Sequence, residues 1–227
     1  MNHIISIFVG LCCGFLAYIT LNETLCKKIK LFCILSGNME YEGKALKTNT
    51  VIILSIVIAI ISYVVSLVNF YAVSDVINIT KIEISLICIT GAACVDFREH
   101  RIPNIFPLAL TLSAVILLFL GFLTNQNGAM SYVLSSIFAT IAIAIFMLIA
   151  SFLTKQGIGL GDIKLLCSIA LMCGVVTSCG ILFFGMIICV VVAVILLLLK
   201  KKKLNEGLPF APFIYIGFIL SIIFMNF

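Results

Sequence analysis

The chain has 227 residues, 63% of them hydrophobic and 10% charged, with a net charge of +5 and a mean hydropathy of +1.33. A soluble domain carries about 25% charged residues, so a soluble globular fold is excluded: there is too little polar surface to cover one. The apolar residues fall in runs of about twenty, enough for a helix to cross a hydrocarbon core of about 30 Å, and they lack the alternation of a membrane-barrel strand. The composition therefore predicts an all-α, polytopic transmembrane helical bundle with the lipid bilayer as its solvent.

Taken in chain order, the apolar runs predict eight helical segments at 3–21, 50–72, 82–97, 103–123, 131–153, 161–174, 178–199 and 208–226. The first has no basic stretch before it; Lys27, Lys28 and Lys30 follow it, so it reads as a retained helix and not as a signal peptide. Residues 1–81 are expected to form two N-terminal transmembrane helices joined by a short basic cytoplasmic loop, 22–49, with the other six helices in 82–227. The loop is too short for a core of its own, and one structural domain is the economical reading. Basic residues test the helix count independently, because they favour the cytoplasmic side. With eight helices, thirteen of the fourteen Lys and Arg residues fall on one side and only Lys81 on the other. That distribution predicts both termini outside. It also accounts for the net positive charge without a nucleic-acid partner.

Eight of the ten cysteines lie in apolar segments, where cysteine is a small hydrophobe. Cys26 and Cys33 lie in the first polar loop, but their spacing is not that of a common zinc site. No metal, disulfide or cofactor is expected.

Two acids stand close to apolar segments on the basic side, Asp96 and Asp162. Acids near the membrane interior are costly, about 2.5–3.5 kcal/mol at a helix centre on insertion scales, and they mark functional sites. Position alone leaves open that both sit in solvated loops beside Arg98 and Lys164. Before Asp162 come Gly157, Gly159 and Gly161, which allow close backbone approach at a helix start, although Asp162 is equally suited to cap the helix. After Asp96 come Arg98 and then Ile102, Pro103 and Asn104, with Pro103 suited to the first turn of the next helix.

In order along the chain, three stretches resemble those of the type IV prepilin peptidases and the related preflagellin peptidases, membrane aspartic proteases of the GxGD type. Asp96, Arg98, Ile102, Pro103 and Asn104 resemble the first aspartate block. Gly157, Gly159, Gly161, Asp162, Lys164 and Leu165 resemble the second, G-x-G-x-G-D-x-K-L. Leu208, Pro209, Phe210, Ala211 and Pro212 resemble a late I-P-F-G-P segment, with Ala211 where the family usually has Gly. The resemblance covers about 82–227 and makes that region an aspartic protease core. It implies that Asp96 and Asp162 are the catalytic pair and that Gly157, Gly159, Gly161, Lys164, Arg98, Pro103, Asn104 and Pro209 shape the site or meet substrate. The implied substrate is a prepilin, pseudopilin or preflagellin-like protein, cut after a short basic leader at the cytoplasmic face. Many bacterial relatives also carry paired C-x-x-C motifs linked to N-methylation. This chain has only Cys26 and Cys33 in that region, so methyltransferase activity is not expected.

Two close carboxylates resist simultaneous ionisation and hold one proton between them. A carboxylate at a helix start faces the positive end of the helix dipole, and one near a helix end faces the negative end. On that basis Asp162 is the expected base and Asp96 the expected acid. Arg98 and Lys164 also fit simple anchoring at the basic interface. The rival reading from another class is a proton-coupled membrane transporter or channel using intramembrane carboxylates. It would require acids nearer the midplane and repeated halves, and neither is evident in the sequence.

Overall fold

The computed structural model describes residues 2–22, 48–72, 75–124, 128–153, 159–199 and 208–225. These residues form seven helices: α1 (Asn2–Leu21), α2 (Thr48–Ala72), α3 (Val76–Glu99), α4 (Ile105–Leu123), α5 (Ala129–Leu153), α6 (Leu160–Leu198) and α7 (Ala211–Met225). No strand occurs among them. Six helices are long and apolar enough to cross a membrane, and α7 is a shorter apolar helix. The chain is a multi-pass, all-helical membrane protein. Cys26, Cys33 and the basic residues of the 22–49 loop lie outside the described residues, as do Lys155, Gly157 and Lys200 to Lys203.

At 39 residues, α6 would be about 58 Å long if straight, nearly twice the hydrocarbon thickness. It is not straight. Gly174 interrupts it with φ 76 and ψ −175, a conformation open essentially to glycine alone. Before the turn, Gly161 lies against Ile102 and the Met172 carbonyl accepts from the Tyr132 hydroxyl at 2.8 Å. After it, the Thr177 carbonyl accepts from Ser221 at 3.3 Å, and Gly185 lies against Phe213 near the start of α7. The two halves therefore run in opposite directions, and the seven helices among the described residues supply eight apolar helical segments, of which the first arm of α6 and α7 are short.

That count matches the sequence expectation, with shifted boundaries. The sixth and seventh predicted segments join at Gly174 with no intervening loop, and 175–177 are helical. The third begins at Val76, six residues before the predicted start, because Asp75 caps it by accepting from the Ile77 N–H at 3.3 Å. Lys81, expected in a loop, is consequently inside α3. It is buried, with its ammonium 3.6 Å from the centre of the Tyr132 ring and bonded to Asn78 at 3.4 Å.

Lipid cannot drive helix against helix, so close contact relies on small residues. A Cβ on Gly10 would meet Ala59 and Tyr63 at 2.9 Å, and one on Gly14 would meet Ala59 at 2.6 Å. These two glycines, in G-x-x-x-G spacing, bring α1 onto α2 antiparallel. α1 runs parallel to α3, with Leu16 near Gly91 and Thr20 near Arg98. Gly217 seats α7 on α6, where a Cβ would come within 2.6 Å of the Ile181 carbonyl. α3 is the most enclosed span. Around it lies one shared core, including Leu86, Ile89, Leu110, Leu166, Ile214 and Phe218 from four helices besides α1 and α2.

Candidate active site

Asp96 stands one turn from the end of α3, and its position is fixed from both directions along the chain. The helix stops at His100, whose left-handed φ of 52 lets its N–H return to the Asp96 carbonyl at 2.8 Å. The side chain is 4% exposed. Its Oδ2 accepts from the backbone N–H of Ala211 at 2.9 Å, at the first turn of α7, with the Phe210 amide beside it. An otherwise unused helix N-terminal donor therefore holds the carboxylate.

Asp162 lies in the first turn of α6, with Gly159 at the N-cap position. Its own amide bonds back to the Gly159 carbonyl at 3.0 Å. A Cβ at Gly159 would stand 3.0 Å from Asp162 Oδ2, so the missing side chain leaves the carboxylate its space. Oδ1 is buried without a hydrogen-bond partner among the described residues. The Asp96 and Asp162 carboxylates lie close enough to repel one another electrostatically. The neighbouring Gly161 serves packing: its missing Cβ lets α6 approach Ile102, 3.1 Å from where that atom would be. The first motif is thereby pressed against the second.

The remaining predicted residues divide. Pro103 is buried ahead of α4, its carbonyl receiving the Phe106 N–H at 3.4 Å, and Pro209 is half-buried just before α7. Asn104 and Lys164 are joined by a 3.2 Å hydrogen bond linking α4 to α6. Positions 162 and 164 differ by about 200° around a helix, which turns Lys164 away from the pair. Arg98 also points elsewhere: it donates to the Thr20 carbonyl at 2.8 Å, closing the end of α1, and pairs with Glu99. Gly157 lies outside the described residues.

The Ala211 amide was not foreseen. The late Pro-Phe-Ala-Pro stretch marked the place, but a main-chain donor carries no side-chain signal. Glu83 was also passed over. It is buried on α3, and both its carboxylate oxygens lack a hydrogen-bond partner among the described residues. Thirteen helical positions separate it from Asp96, about 20 Å along the axis, so it is no part of the pair.

A membrane bundle that brings two aspartates from different helices within electrostatic range, one of them held at the N-terminus of a third helix, has the parts of an intramembrane acid–base site. Residues 84–194, which hold both aspartates, match the model of the type IV leader peptidase family, and the match supports that family for this part of the chain. The match supports a leader peptidase function in general, and the transporter alternative is not favoured. No curated protein and no solved structure gives a significant match.

Proposed function

We propose that the chain is a membrane aspartic endopeptidase that removes the short basic leader of prepilin, pseudopilin or preflagellin-like proteins at the cytoplasmic face. Asp96 and Asp162 are its catalytic pair. The observation that carries this reading is that the two acids lie within electrostatic range of each other, the buried Asp96 held by the Ala211 amide and the half-buried Asp162 with an enclosed, unpartnered oxygen. The helices of 1–81 and of 82–227 act as one structural unit, a reading supported by the Arg98–Thr20 bond across them.

The chemistry follows from one proton shared by two carboxylates. Asp162, at a helix start, is the base: its unpartnered oxygen takes a proton from water as the water oxygen bonds to the scissile carbonyl carbon. Asp96 is the acid and gives its proton to the carbonyl oxygen. Asp162 then gives the water-derived proton to the leaving nitrogen while Asp96 takes a proton from a gem-diol hydroxyl, so the carbon–nitrogen bond breaks and the pair again holds one proton. The substrate is a chain with a basic leader followed by an apolar helix, so the cut falls at the membrane surface. Both termini lie outside and the pair lies on the inner side, a reading supported by the basic-residue count.

Co-expression with a prepilin-like substrate tests the assignment. Asp96→Ala and Asp162→Ala are each expected to lower cleavage by about a thousandfold or more, as for members of a catalytic unit. Cleavage persisting in either variant at a rate near that of the parent would overturn it.

A further inference from the structure

A groove of about 420 Å³ opens between α4, α5 and the first half of α6. It exists because α6 packs along both α4 and α5 while those two scarcely touch each other. Asn104 and Lys164 stand at one end, level with the start of α6, and Leu171 at the other, about 10 Å further along the helix axis. The hydroxyls along the groove are already committed within the protein. Thr111 donates to the Pro107 carbonyl at 2.7 Å, Ser168 to the Lys164 carbonyl at 2.7 Å, and Thr140 to the Ser136 carbonyl at 2.8 Å. The wall thus offers mainly van der Waals contact. The end differs: the exposed Lys164 ammonium bonds a neutral acceptor, Asn104 Oδ1, and that bond leaves its charge uncompensated.

An occupant must match an apolar trough one helix-turn or two in depth that terminates in a single positive charge at the membrane surface. A partner's transmembrane helix, about 10 Å across, would take roughly 800 Å³ over the same length, twice what is there. A hydrocarbon chain is far slimmer, and a chain bearing a phosphate at its interfacial end supplies the missing charge. We propose that this groove seats one acyl chain of an anionic phospholipid, with the phosphate against the Lys164 ammonium. The site lies across α6 from Asp162, so a bound lipid leaves the acid pair free, and the proposal stands apart from the protease assignment.

The full-length protein is reconstituted in nanodiscs of equal phosphatidylglycerol and phosphatidylethanolamine. It is then released into mild detergent, and the lipid that stays bound is identified by native mass spectrometry. One retained lipid is expected, with about fivefold preference for the anionic headgroup, the contribution of a single interfacial lysine. Lys164→Gln is expected to abolish the preference while a lipid still binds. Thr140→Phe, which places a ring in the groove from α5, is expected to reduce retention at least fivefold, with the elution profile of the parent confirming the fold. If that variant does not fold, Leu108→Trp fills the groove from an exposed position on α4. An undiminished preference in Lys164→Gln overturns the proposal. So does full retention in a folded groove-filling variant, or a parent protein that keeps only loosely held annular lipid.

Discussion

At the scale of single residues, the two aspartates are not equivalent, and that asymmetry can be tested. Asp96 depends on a donor that is not a side chain. Ala211→Gly keeps the N–H and is expected to retain cleavage within a few-fold. Ala211→Pro removes it at a helix start, where proline is otherwise tolerated. A hydrogen bond to a neutral acid contributes about 0.5–1.5 kcal/mol, so a fall in kcat of about 2- to 10-fold is expected, measured on a purified substrate. Asp162 depends on empty space. Gly159 has φ −58 and ψ 134, which any residue can adopt, so Gly159→Ala acts only by crowding the carboxylate. Its expected signature is roughly tenfold slower cleavage with an unchanged thermal midpoint. Glu83 supplies the converse: Glu83→Gln is expected to leave cleavage intact and not to lower the midpoint, since an unpartnered buried carboxylate costs more than a neutral amide. The flanking motifs singled out Asp96 and Asp162, which the structure places within electrostatic range of each other. Less legible was the division of labour among those motifs, because the outward turn of Lys164 and the reach of Arg98 to Thr20 depend on rotation about a helix and on the end of a distant one.

Helices and their joints were read with uneven success, for identifiable reasons. Hydropathy found each of the eight apolar segments, since even the two too short for a full crossing, the first arm of α6 and α7, are almost wholly apolar. It misplaced the start of α3 because Asp75 and Lys81 look like a loop; one is a cap and the other is sheltered against Tyr132. It also supplied a loop at 175–177 where the chain needs none. A reversal made at Gly174 is invisible to an average over residues. The turn is nevertheless well supported: the Val175 N–H donates to Ser135 at 3.2 Å and Tyr132 takes up the Met172 carbonyl, so groups freed by the break are satisfied from α5. Gly174→Ala forces a side chain into a glycine-only conformation, 3.3 Å from the Ser135 hydroxyl. A loss of about 1–3 kcal/mol is expected, seen as a lower midpoint in detergent, while Cys179→Ala on the exposed face of the same helix should change little.

For the molecule as a whole, the bundle has one chemically marked end. Arg98, Arg101 and Lys164 lie at the same end as Asp96 and Asp162, and Lys81 lies towards the other, so the basic-residue count and the helix directions agree. The side of the membrane follows from accessibility. On a cysteine-free background, Asp75→Cys is expected to react with a membrane-impermeant maleimide in intact cells, and Arg101→Cys only after permeabilisation; the reverse pattern would invert the orientation. The turn at Gly174 bears on how such a chain enters the bilayer at all. From Leu165 to Leu199 there is no charged residue, so nothing in that stretch tells the insertion machinery where one crossing stops and the next begins. The two arms of α6 must partition as a pre-bent pair, with Leu160 and Leu198 left on the same side. A nascent chain halted between the arms would have no polar anchor at its far end, so biogenesis of the second aspartate's helix depends on the residues that follow it.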